Sequence, residues 1–135
     1  MAIAEEAIVS LRTICLIEDD AAMRALLADR VFKTDSVVEF SALKPALRFL
    51  RDYSVDQIIL DLNLPDSRGA ATYHTLSEAL PHQDIIIITG WTGAEIEALA
   101  EEVPVYKKGS NNWVRLLLEL KGRTEALACA MGVAS

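Results

Sequence analysis

The sequence predicts an α/β domain: a central parallel sheet of five strands with helices packed on both faces. Two observations carry this. Short apolar runs, of which Ile85-Ile86-Ile87-Ile88 is the purest, lack the polar alternation of a sheet with one wet face and so read as strands buried on both sides. Between these runs lie segments whose apolar residues recur at i, i+3, i+4 and i+7, the stripe of a helix with one buried face.

The elements follow in order. A first strand is predicted over 13–18, then a helix over 21–31 that buries Met23, Leu26, Leu27 and Val31. The second strand covers 36–40, and the helix after it carries the stripe Leu43, Ala46, Leu47 and Leu50. A third strand over 57–60 precedes a helix over 69–80, which stops before Pro81 because proline cannot supply the backbone N–H a helix interior needs. The fourth strand spans 84–89, and its helix carries Ile96, Leu99, Ala100 and Val103. The fifth strand spans 103–106, and the last helix carries Trp113, Leu116, Leu117 and Leu120, with Gly122 as its expected end. The domain is thus expected over 12–121. Residues 1–11 form an extension, and the Ala-rich tail over 122–135, with Leu127 and Met131, reads as frayed or as a weak extra helix.

With 135 residues, the chain suits one domain. A hydrophobic content of 52% argues against disorder, while the longest apolar run is far too short to span a bilayer. A net charge of −7, with no Lys/Arg stripe interleaved with aromatics, disfavours direct nucleic-acid binding. No secretory signal is evident in the first residues, so the expected location is the cytoplasm. Cys15 in a buried strand and Cys129 in the tail make a poor disulfide pair and lack metal-ligand spacing. No repeat and no linker to a second module appears.

In open parallel sheets the functional crevice lies beyond the carboxyl ends of the strands. Here those ends carry Glu18-Asp19-Asp20, Asp61, Thr89-Gly90 and Lys107-Lys108. Carboxylates crowded at one edge repel each other unless a cation sits among them, and hard oxygen donors without Cys or His suit Mg²⁺. Glu18 and Asp19 can hold the metal, directly or through water. Asp61 can give it one oxygen and offer the other as a nucleophile toward phosphorus, yielding an acyl phosphate. A lysine would balance charge on the equatorial phosphoryl oxygens, and the Thr89 hydroxyl could bind one of them.

Four segments in order, Ile17-Glu18-Asp19-Asp20 with Met23-Arg24, Leu60-Asp61-Leu62-Asn63-Leu64-Pro65-Asp66-Ser67-Arg68-Gly69, Ile88-Thr89-Gly90, and Tyr106-Lys107-Lys108-Gly109-Ser110, resemble the response-regulator receiver domains of two-component phosphorelays. The resemblance implies a flavodoxin-like (βα)5 fold of the stand-alone type. It makes Asp61 the phosphoacceptor for a partner histidine kinase or histidine phosphotransferase, with Glu18, Asp19, Asp61 and the backbone carbonyl of Asn63 as Mg²⁺ ligands. Thr89 matches the switch hydroxyl and Lys108 the phosphate-binding lysine, with Lys107 as its competitor, since adjacent strand residues face opposite sides. Trp91 falls where the family places a residue that governs water access to the acyl phosphate. The sequence departs from the pattern in using Glu18 where many relatives have Asp, in a shortened stretch between Thr89 and Lys108 that predicts a clipped or displaced fourth helix, in Val105 at the usual aromatic position with Tyr106 beside it, and in Gly109 where proline is common.

Plainer readings stand beside these. Asp19 or Asp20 could simply cap the first helix. His74 and His82 lack a second ligand at helical or turn spacing and read as exposed. Trp113 fits the core, whereas Trp91 in a loop is weighed equally between packing and function. The face formed by the fourth helix, fifth strand and fifth helix is the expected partner or homodimer surface, because Val114 and Leu118 add apolar groups beyond the buried stripe. Among other classes, an aspartate-nucleophile phosphatase of the haloacid-dehalogenase type needs an acid two residues after the nucleophile, where Asn63 stands. A flavodoxin-like cofactor binder lacks its phosphate loop, and a degenerate receiver would not need the complete set of site residues. The chain is accordingly expected to signal by altered protein–protein binding and to catalyse only its own phosphorylation and dephosphorylation.

Overall fold

Every strand of the main sheet runs in the same direction, and successive side chains alternate between two apolar layers. The computed structural model describes residues 12–109 together with Arg115, residues 118–120 and Gly122. The expectations for residues 1–11, Trp113, Val114, Leu116, Leu117, Cys129 and the tail beyond 122 lie outside the described residues.

The sheet comprises β1 (Thr13–Ile17), β2 (Ser36–Phe40), β3 (Gln57–Asp61), β6 (Ile85–Thr89) and β7 (Val105–Lys107), in the spatial order β2-β1-β3-β6-β7. All four pairings are parallel. A small antiparallel ladder of β4 (Asn63–Leu64) and β5 (Ser67–Arg68) follows β3 directly. The helices are α1 (Ala21–Leu26), α2 (Leu43–Asp52), α3 (Ala70–Ala79) and α4 (Ala94–Leu99). Arg115, residues 118–120 and Gly122 are helical as well. Gly122 is thus itself helical, and the end of its helix lies outside the described residues.

Period-two alternation sorts the core. Cys15, Ile17, Ile58, Leu60, Ile85 and Ile87 pack with the buried residues of α2, α3 and α4 on one face. Ile14, Leu16, Ile59, Ile86 and Ile88 meet Leu27, Val31, Phe32 and Leu120 on the other. The sheet is thus a middle layer, and β3 and β6 are buried along their whole length. The predicted stripe of α2 is realised with Leu43, Ala46 and Leu50 buried.

The first helix departs from one regular α-helix over 21–31. After Leu26 it widens to a π-helical turn, Leu27–Val31, closed by the Phe32 N–H on the Leu27 carbonyl at 2.8 Å. The wider turn sets Leu27, Val31 and Phe32 together against the sheet. The fourth helix is only six residues long, as the shortened stretch predicts. Val103 serves neither helix nor strand: it lies buried in the connection, with its N–H on the Leu99 carbonyl, and β7 starts at Val105. No helix among the described residues is long and apolar enough to cross a membrane.

Candidate phosphorylation and metal site

Register brings the site residues to one edge. Ile17 pairs with Leu60 and Asp61 with Ile88, so Glu18 and Asp61 stand at the same level at the carboxyl ends of β1 and β3. Thr89 closes β6 beside Lys107, and the Lys108 N–H bonds the Thr89 carbonyl at 2.8 Å. The crevice at these strand ends is the one expected for a sheet whose order turns at β1 and β3.

Glu18 is fully buried and Asp61 nearly so, whereas Asp19 is exposed. One carboxylate oxygen from each of the three can lie within 4.8 Å of the others, and they are the one such group of three among the described residues. Lys108 Nζ bonds Glu18 Oε1 and stands 3.3 Å from Asp61 Oδ2. Lys107, the other candidate, is exposed, whereas Lys108 is the lysine whose ammonium meets the two buried carboxylates. Asp61 Oδ1, in contrast, is buried with no hydrogen-bond partner among the described residues. An orphaned carboxylate oxygen is costly, and beside Glu18 and Asp19 it has the chemistry of a hard-cation ligand.

The electrostatics agree. Burial pushes the Glu18 carboxyl from 4.5 up to about 7; the neighbouring Asp61 adds to the rise and Lys108 opposes it. Burial would lower the Lys108 ammonium, but the Glu18 and Asp61 carboxylates outweigh it and hold the pKa above the ordinary 10.5. One ammonium thus meets two of the three clustered carboxylates, Glu18 and Asp61, a shortage of positive charge that a divalent cation fits.

The loops are fixed by residues outside this set. Asp20 caps α1, its Oδ1 accepting from the N–H groups of Ala22 and Met23 at 2.9 and 3.3 Å, which leaves Asp19 free for the site. Arg24 Nη1 donates to the carbonyls of Glu18 and Asp19 at 2.7 and 3.1 Å and so holds the backbone of the acidic pair. The N-terminus of α2 is capped from a distance: both Asp66 oxygens accept, from the Leu43 and Lys44 N–H groups, at 2.8 Å each. Sequence reasoning missed Asp66 in this role and placed Arg24 only within a matching segment. A cap 22 or 23 residues from its helix leaves no local spacing to read.

Asn63 begins the small ladder opposite Arg68, exposed, two residues past Asp61. Thr89 is buried, and its Oγ1 accepts the Trp91 N–H at 3.0 Å. Trp91 itself is exposed. His74 is exposed, its ring edge-on to Tyr73, and His82 is also exposed, so neither joins the site. Leu118 is exposed to 65%.

With the site in place, the class of protein follows. The model of the response regulator receiver domain matches residues 14–105, and the chain belongs to that family. It is a receiver domain of two-component signalling with the flavodoxin-like fold. A CheY-like receiver domain protein from Methanospirillum hungatei JF-1 superposes with a TM-score of 0.72 at 20% identity, covering 87% of this chain and 96% of that one. The phosphorylated cyanobacterial phytochrome response regulator RcpA gives 0.67 at 24% identity, covering 86% and 93%. The Mn²⁺-bound form of response regulator Rcp1 gives 0.66 at 23%, covering 82% and 90%. No curated protein matches the chain.

Proposed function

We propose that this receiver is a phosphoacceptor in which Asp61 takes a phosphoryl group from a histidine kinase or histidine phosphotransferase and that its output is a change in protein–protein binding. The carrying observation is Asp61 itself, a buried carboxylate with one oxygen beside Lys108 Nζ and the other without a hydrogen-bond partner among the described residues. One Asp61 oxygen forms the O–P bond as the donor's N–P bond breaks, and the departing electron pair stays on the imidazole nitrogen. Lys108 balances the charge of the transferring group, and Thr89 supplies a hydroxyl at the adjoining strand end.

Glu18, Asp19, Asp61 and the Asn63 carbonyl are the ligands for Mg²⁺, which when bound would neutralise charge on the phosphoryl oxygens. Trp91 shields the acyl phosphate from water. Leu118, exposed on its helix, and Val114 belong to the output surface with α4 and β7, where a second copy of the chain could also pair. The receiver acts in the cytoplasm through protein partners, without direct contact to nucleic acid or membrane. Incubation with a small phosphodonor followed by intact-mass measurement should show one phosphoryl adduct with Mg²⁺ and none with chelator or in Asp61→Asn. Equal labelling of Asp61→Asn would overturn the assignment.

A further inference from the structure

The loop between β6 and α4 is Gly90-Trp91-Thr92-Gly93, and Gly93 adopts φ 116, so its backbone has freedom that other residues lack. Two contacts fix it from outside. Glu95, in the first turn of α4, turns its side chain away from its own helix and accepts the Ala70 N–H at 2.8 Å. Ala70 opens α3, whose cap position is Gly69 and offers no side chain, so Glu95 stands in for the missing cap. Four residues earlier, the Trp91 indole lies on Gly69 itself. A Cβ at Gly69 would sit 3.2 Å from Trp91 Cζ3 and 3.1 Å from Glu95 Oε1.

Gly69 is in turn joined to the phosphoacceptor segment, its N–H donating to the carbonyl of Leu62, the residue after Asp61, at 2.8 Å. Thr89 completes the circuit by accepting the Trp91 N–H. The loop bearing Thr89 and Trp91 is therefore clipped to the loop that follows Asp61, and Glu95 is the polar half of the clip. Trp91 is 36% exposed, so its ring is reachable by a quencher from solvent.

We infer that Glu95 is a positioning residue for this site: by capping α3 it keeps the Trp91 indole on Gly69 and prolongs the life of a phosphoryl group on Asp61. The inference rests on the phosphoacceptor reading above. Glu95 touches no reacting atom and acts through Trp91, because hydrolysis requires water to approach phosphorus in line.

The test follows phosphoryl loss by intact mass after a small phosphodonor and Mg²⁺ are removed, for the native chain, Glu95→Ala, Glu95→Gln, Trp91→Ala and the Glu95→Ala/Trp91→Ala double variant. Acrylamide quenching of Trp91 is read in parallel in a Trp113→Phe background without phosphorylation. Glu95→Ala should shorten the half-life roughly fivefold, the equilibrium shift one lost cap produces, and expose Trp91 to the quencher. Glu95→Gln, which retains an acceptor oxygen, should stay near native in both. In the Trp91→Ala background, Glu95→Ala should add nothing. An unchanged half-life in Glu95→Ala, or an equal further loss in the double variant, would overturn the inference. Absence of any adduct on the native chain would remove the phosphoacceptor reading and the lifetime claim together, while the quenching comparison would still decide whether Glu95 holds the indole.

Discussion

Replacing Glu18 with glutamine should abolish the loss of stability that the metal-free protein shows as pH rises. In the folded chain the Glu18 carboxyl titrates near 7 instead of 4.5, because it is buried beside Asp61. Between those values the folded state keeps a proton that the unfolded state has released, so stability falls as pH rises across that window and levels off above it. At 1.36 kcal/mol per pH unit the full loss is about 3 kcal/mol, or a fall in Tm of roughly 10 °C for a chain of this size. Lys108 does not confound this range, since its raised pKa removes stability only above 10.5.

The assay is urea or thermal unfolding in chelator from pH 5 to 8.5, for the native chain and Glu18→Gln. The native profile should decline through the window, and that of the variant should be nearly flat, because glutamine has nothing to titrate. Adding Mg²⁺ at pH 8 should restore the native protein by about 2.7 kcal/mol at a hundredfold excess over Kd, with a much smaller gain in the variant. Parallel pH profiles for the two proteins, or native stability that rises from pH 5 to 8, would refute the account of a buried, strained carboxylate.

Asp66→Ala should cost about 1 kcal/mol in urea unfolding at pH 7, the worth of a lost cap. Slight burial raises this carboxyl, but the Lys44 and Leu43 N–H groups outweigh it and hold the pKa below 3.8, so the two proteins should converge as pH falls through that folded value; a constant difference down to acid pH would contradict the cap. Gly69→Ala should destabilise by roughly 1–2 kcal/mol, because φ is 75 and the new Cβ meets both Glu95 and Trp91; a neutral effect on Tm would mean the clip yields freely. Burial pushes the Cys15 thiol up to about 12, so peptide mapping after iodoacetamide at pH 8 should find Cys15 unlabelled in the native protein. Leu118→Glu should leave Tm nearly unchanged, since the side chain is exposed, and abolish any self-association seen by light scattering with beryllofluoride; association that persists in the variant would remove Leu118 from the output surface.

The layers of this fold were legible in the sequence because strands buried on both faces and helices with one buried stripe leave their periods in the order of residues. The ends of those strands were legible for the same reason. Glu18, Asp61 and Thr89 each close an apolar run, and parallel pairing carries such ends to one edge whatever the helices do. Other features depended on contacts between distant parts of the chain. Periodicity could not choose between Lys107 and Lys108; the choice came from the path by which Lys108 Nζ reaches Glu18 and Asp61 across three strands. The caps from Asp66 to α2 and from Glu95 to α3 cross 22 to 25 residues, so no local rule could find them. The widened turn of Leu27–Val31 was hidden as well, since it is set by how Phe32 seats in the core rather than by helix propensity. Sequence placed the charged groups at the edge, and tertiary packing decided which of them lost water and which gained partners, because desolvation and hydrogen bonding depend on distance in space rather than along the chain.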